Sequence, residues 1–125
     1  MDSEEDVKVW IRQAERDMQS AENSLKSKDY YVAALLAQQA TEKALKYLYL
    51  VQKRKLFRIH DLTRLARAVE APHEILLKCS EINPVYTETR YPLGKSLPAD
   101  KIDELQAKHI LRLAYGVITW VKKQV

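Results

Sequence analysis

Residues 30–52 read YYVAALLAQQATEKALKYLYLVQ, a run with no glycine or proline, dominated by alanine, leucine and long unbranched side chains. Such residues give up little conformational freedom on becoming helical, so the run predicts a helix over Tyr30 to Gln52. At 1.5 Å per residue this helix is roughly 35 Å long, the span of a small domain, and every other helix can pack along it. Its apolar positions Tyr31, Ala34, Leu35, Ala37, Ala40, Ala44, Leu45, Leu48 and Val51 spread over too wide an arc for one stripe, which calls for neighbours on more than one side. Polar residues interrupt it in a compact group, and Gln39, Glu42, Lys43 and Lys46 lie three or four apart, on a shared face.

The rest of the chain reads outward from that helix. Ser3 and Asp6 form a capping-box pair, with Glu4 and Glu5 between them, and open a helix from Glu4 to about Ser27. Trp10, Ala14, Met18, Ala21 and Leu25 recur every three or four residues as its buried stripe. The turn Ser27, Lys28, Asp29 is short enough to make the two long helices antiparallel neighbours, with Asp29 as the N-cap of the second. Beyond KRKLFRIHDL, Asp61 caps a third helix with apolar positions Leu62, Leu65, Ala66 and Val69 that ends before Pro72. A short helical segment follows over His73 to Ile82, closed by Asn83 and Pro84. Residues 83–98, NPVYTETRYPLGKSLP, hold three of the four prolines and one of the two glycines, and read as a long irregular loop presenting Tyr86, Arg90, Tyr91 and Lys95. Pro98 or Asp100 opens the last helix, which runs to about Lys123 with Ile102, Leu105, His109, Leu113, Gly116, Val117 and Trp120 on one face. Gly116 inside it costs about 1 kcal/mol relative to alanine and predicts the close approach of another helix. His109 reads as a packed histidine within that stripe. The expected architecture is a single all-α domain over residues 1–125, an up-and-down bundle of four long helices plus a short fifth helical segment.

Composition narrows the function classes. The chain has 125 residues, 46% hydrophobic and 30% charged, the balance of a soluble globular domain that buries its core without disulfides or metal. Cys79 is the single cysteine and reads as a packed thiol. His60, His73 and His109 have no second ligand at metal-binding spacing, so no metal and no cofactor is expected. The acidic N-terminus has no secretory pattern and no apolar run is long enough to span a bilayer, which predicts a cytoplasmic protein without a membrane partner. Charge is uneven: residues 1–52 balance at −2, whereas Lys53, Arg54, Lys55, Arg58, Arg64 and Arg67 against Asp61 give residues 53–67 a balance of +5. Such a segment attracts phosphate, or is simply a solvated basic loop.

Without a glycine-rich loop, phosphate has to be held by side chains or helix N-termini. His60 lies at a helix start inside the basic segment and either meets a phosphate or contributes to the cap. Arg90 beside Tyr91 can clamp a phosphate and stack a base, or can tie the loop to the bundle, with Glu42 one available anchor.

Trp10, Ala14, Asp17 and Ala21, then Tyr31 with AQQATEKALK (Ala37 to Lys46), HDLTRL (His60 to Leu65) and RYP (Arg90 to Pro92) resemble the HEPN family, the higher eukaryotes and prokaryotes nucleotide-binding domain. The most specific part is QQATEKALK followed after a short loop by HDL. The resemblance implies an up-and-down helical bundle that dimerises, with members often encoded beside a small nucleotidyltransferase as a two-component or toxin–antitoxin pair. Many members are metal-independent ribonucleases in which an arginine and a histidine four to six residues apart sit late in the chain. There the ribose 2′-hydroxyl attacks the adjacent phosphate, the arginine stabilises the phosphorane and the histidine moves protons. This sequence departs from that pattern: Arg90 is suitably placed, but Tyr91 to Ser96 contain no histidine, and the literal matches Arg54 to His60 and Arg67 to His73 lie earlier. The reading is therefore a homodimeric HEPN module that binds nucleotide or RNA phosphate through Lys43, Lys46, His60 and Arg90, with Tyr91 for stacking and no assigned catalytic residue, acting with a nucleotidyltransferase partner. The alternatives are a ribonuclease toxin using Arg90 or Arg54 with His60, and a non-catalytic helical adaptor.

Overall fold

In the computed structural model, which describes residues 3–92, 94 and 97–125, the described residues form helices and turns and no strand. The helices are α1 (Glu4–Lys26), α2 (Tyr30–Lys53), α3 (Leu62–Ala68), α4 (His73–Ile82), α5 (Val85–Arg90) and α6 (Glu104–Lys123), with a 3₁₀ turn over Pro98–Asp100. The all-α bundle expected from the sequence is present. Three of its helices are long, and α3 is confined to seven residues because Glu70 turns left-handed (φ 58°) just beyond it. Leu93, Lys95 and Ser96 lie outside the described residues, so the expectation that Lys95 is presented by the loop has no structural counterpart.

The central helix is α2, packed against α1, α6, α3 and α5. Ala33, Ala34, Ala37, Ala40 and Ala44 have no solvent exposure, and these short side chains let neighbouring helices approach closely. Leu45 and Leu48 fill the space between. Ser3 Oγ accepts from the Asp6 N–H at 3.3 Å and the Asp6 carboxylate accepts from the Ser3 N–H at 3.1 Å, the capping box read from the sequence. Asp29 holds the N-cap position of α2 but its side chain makes no cap bond. Lys28, at φ 66°, makes the tight reversal between α1 and α2.

Two expectations for the C-terminal half change. Residues 83–98 are not uniformly irregular: Pro84 takes helical angles (φ −60°, ψ −22°) and leads into α5, whose Val85 and Thr89 are buried. A proline lacks only an N–H that the first helical turn leaves free anyway, so Pro84 starts a helix as readily as it ends one. The last helix is opened by Asp103, whose carboxylate accepts from the Gln106 N–H at 2.8 Å in a second capping box, while Pro98 starts the separate 3₁₀ turn. The buried residues of α6 are Ala107, Ile110, Leu111, Leu113, Ala114, Val117, Ile118 and Val121, so Leu113 and Val117 of the expected face, and Ile102 just before the helix, are in the core. Leu105 is 77% exposed, and His109 is a half-exposed surface residue whose Nε2 meets Glu81 Oε1 at 3.1 Å, not a packed core histidine.

Gly116 is also used differently from expectation. A Cβ built on it meets Lys78 Cε at 2.9 Å, so the glycine admits the stem of a lysine from α4, not another helix backbone. Beside Gly116 the Tyr115 hydroxyl donates to Glu22 of α1 at 3.0 Å, and burial together with that carboxylate pushes the phenol pKa up.

Asp61 ties the short helices together. Its Oδ1 accepts from the N–H groups of Thr63 (3.0 Å) and Arg64 (3.3 Å) and from Asn83 Nδ2 (3.0 Å), while Asn83 Oδ1 accepts from the Leu62 N–H (3.0 Å). The start of α3 is thereby bolted to the α4–α5 junction. Asp61→Ala is expected to lower stability by about 1–2 kcal/mol in urea unfolding, and adding Asn83→Ala should cost less than its effect alone because both act through one hydrogen-bonded unit. Cys79 is fully buried and burial alone pushes its thiol up to about 12. Iodoacetamide should therefore leave the native protein unlabelled at pH 8 and label it only in denaturant; rapid native labelling would contradict this packing.

Candidate functional site

The polar group on α2 divides between two neighbours. Lys43 donates to Asp17 of α1, whose other oxygen accepts from Gln13 Nε2 at 2.9 Å. Its ammonium is thus committed to joining α1 and α2. Lys46 lies with Glu42 in a buried cluster: Lys46 Nζ donates to Glu42 Oε2 at 2.9 Å, Gln38 Nε2 donates to Oε1 at 3.2 Å, and Gln39 Nε2 donates to Gln38 Oε1 at 2.7 Å. Glu42 and Lys46 are only 6% and 7% exposed, so each charge depends on the other for its compensation.

The same carboxylate reaches the segment after α2. His60 Nδ1 lies 3.0 Å from Glu42 Oε2. An ionised carboxylate only accepts, so the imidazole donates from Nδ1, and in the neutral ring Nε2 is then the acceptor. The His60 ring stacks on Tyr86 of α5, with centroids 4.9 Å apart and planes 23° from parallel. Arg90 lies one helical turn further along α5, its Cζ over the same Tyr86 ring at 4.3 Å from the centroid. A histidine held by a buried carboxylate and an arginine held by an aromatic face are therefore assembled on one tyrosine. Both His60 and Arg90 are solvent-exposed, so they form a surface cluster with their outer edges accessible.

Of the residues singled out from the sequence, His60 and Arg90 both contact the Tyr86 ring, and Lys46 is linked to His60 through Glu42. Lys43 faces α1. Tyr91 follows α5 in extended conformation, 55% exposed. The Arg90–Glu42 tie considered from the sequence is not made; Glu42 is occupied by Lys46, His60 and Gln38. Tyr86, the residue that joins the cluster, carried no assigned role. Its signal was the spacing of four between Tyr86 and Arg90, meaningful only once the stretch is helical.

Charge around the cluster is one-sided. Leu56, Phe57 and Ile59 are partly buried against the core, and Phe57 packs edge-on to Tyr49 with centroids 5.0 Å apart. This pins residues 54–60 by their apolar side chains and turns the cations outward. Lys53, Arg54, Lys55, Arg58, Arg64 and Arg67 are all exposed, and among the described residues none has a carboxylate within 4.0 Å. Nor do the described residues include a group of three or more His, Cys, Asp or Glu able to hold a metal ion.

The family model for the HEPN domain matches residues 7–124. The chain belongs to the HEPN domain family. Solved structures agree with the assignment. The Thermus thermophilus protein TT1696 superposes with a TM-score of 0.89 at 28% identity, over 95% of this chain and 98% of its own. ST0689, described as an archaeal HEPN homologue, gives 0.83 at 32% identity over 94% and 96%. A HEPN domain protein of Thermotoga maritima, tm0613, shares the fold, with a TM-score of 0.74 at 18% identity over 92% and 95%. No curated protein matches. Among the described residues no helix is long and apolar enough to cross a membrane.

Replacing Glu42 by glutamine removes the counter-charge of Lys46 and turns one of the two acceptor oxygens that serve Lys46, His60 and Gln38 into a donor. Glu42→Gln should destabilise the fold by about 3 kcal/mol in urea unfolding. A change under about 0.5 kcal/mol would show that the pair is not an interdependent buried unit.

Proposed function

We propose that this HEPN protein is a phosphate-binding module that recognises a nucleotide or RNA phosphate at the His60–Tyr86–Arg90 cluster. The observation that carries the reading is the placement of His60 and Arg90 against one aromatic ring. Arg90, its Cζ over the Tyr86 ring, keeps guanidinium donors for a bidentate contact with phosphate oxygens. His60 offers a nitrogen from the other residue that contacts Tyr86, and exposed Tyr91 supplies a face for a base. The six outward cations raise the local concentration of polyanions. Lys46 acts through Glu42 and His60, and Lys43 through its hold on α1. By family resemblance the working unit is a cytoplasmic homodimer acting with a small nucleotidyltransferase in a toxin–antitoxin-like pair.

One observation favours a second reading, a metal-independent ribonuclease. The Glu42 carboxylate sets the His60 tautomer in the way a carboxylate sets a catalytic histidine, leaving Nε2 to take a proton. An arginine at the same tyrosine suits the charge of a phosphorane. The histidine absent from the late sequence motif would here be supplied by His60, from the segment before α3, with Arg90 on α5.

Incubation with labelled single-stranded RNA in EDTA over a salt series separates the readings. Retardation that weakens with salt, by about 0.7 in log–log slope per phosphate neutralised, and no cleavage, supports the binding module. Arg90→Ala should then weaken retardation about tenfold with little change in the melting transition, because its cation–π contact is exposed. Cleavage abolished by His60→Ala would establish the ribonuclease instead. Neither retardation nor cleavage, with free nucleotides also inert, would leave a helical adaptor.

A further inference from the structure

A groove of about 350 Å³ runs between the N-terminal half of α4 and the C-terminal half of α6, apart from the His60 cluster. That volume is within the roughly 300–1,000 Å³ usual for small-molecule sites. Lys78 and Lys123 line it together with the half-buried Trp120 and the exposed Tyr115 and Glu74. Among the described residues neither lysine has a carboxylate within 4.0 Å, Glu74 included, although Lys108 and Lys122 on the same helix pair with Glu104 and Glu15.

Gly116 adds an independent observation. The three nearest heavy atoms to a Cβ at this position are Lys78 Cε at 2.9 Å, Cδ at 3.1 Å and Nζ at 3.8 Å. The helix forgoes about 1 kcal/mol relative to alanine, and the space so opened is filled by the stem of Lys78. Instead of extending into solvent, that lysine lies across bare backbone with its ammonium held at the groove.

We infer that this groove is a binding site for an organic anion with a flat apolar body, its charge taken by Lys78 and Lys123 and its ring by Trp120. Two unpaired ammonium groups supply charge complementarity for a phosphate or carboxylate, and an indole supplies a stacking face. An aryl phosphate is the simplest molecule with both parts. The site shares no residue with the His60–Tyr86–Arg90 cluster and does not depend on the function proposed there.

The experiment is calorimetric titration of the full chain with 2-naphthyl phosphate, with 2-naphthol and inorganic phosphate as comparators. The expected result is saturable binding of the aryl phosphate, about tenfold or more tighter than either part alone. Lys78→Gln combined with Lys123→Gln should weaken it about tenfold. Gly116→Ala separates binding from folding: the methyl displaces the Lys78 stem, so affinity should fall about threefold while the melting temperature holds or rises. No binding, equal binding of 2-naphthol, or unchanged affinity in the lysine and glycine variants would overturn the assignment. Binding abolished by Arg90→Ala would likewise overturn it, by locating the ligand at the other cluster.

Discussion

The carboxylate of Glu42 is the constraint around which one side of this bundle is arranged. A charge this deeply buried on α2 requires compensation, and it receives an ammonium from Lys46, an amide from Gln38 and an imidazole from His60. The first two come from its own helix, whereas His60 lies 18 residues further along the chain. Satisfying the carboxylate therefore fixes where the segment after α2 must pass. His60 in turn is the face on which Tyr86 stacks, and Tyr86 carries Arg90, so the position of an exposed arginine on α5 traces back to a buried acid on α2. Such a chain of contacts sets exposed groups more narrowly than loop packing does.

The basic segment illustrates how apolar and charged residues share a short stretch. Leu56, Phe57 and Ile59 face the core, and the intervening cations have no direction left but outward. Composition alone suggests a solvated loop, yet the anchors give the positive charge a fixed place beside His60. Fixed charge is worth more to a polyanion than the same charge on a mobile loop, because less ordering is needed on binding.

The fold was largely legible. Both capping acids Asp6 and Asp61, the alanine-rich central helix and the bounds of α4 follow from local propensity and spacing, which act within a turn or two of the chain. The misreadings share one cause. Pro84, Pro98 and Gly116 are residues whose meaning depends on their surroundings: a proline ends one helix or starts another, and a helical glycine accepts a backbone or a side chain. The face assumed for α6 also grouped His109 with the buried Leu113 and Val117, although it belongs at the surface beside Glu81.

The sequence by itself determined the all-α class, the central helix and the residue types able to meet a phosphate, because these depend on short-range periodicity and composition, and its QQATEKALK and HDL segments carried the HEPN resemblance. Only the tertiary structure decided which of those residues work together. It committed Lys43 to Asp17, buried Lys46 behind Glu42, and set His60 and Arg90 on Tyr86. The reason is physical: pairing of a buried charge and stacking on a ring are contacts between elements distant in sequence, and no local pattern encodes which partner a side chain will find.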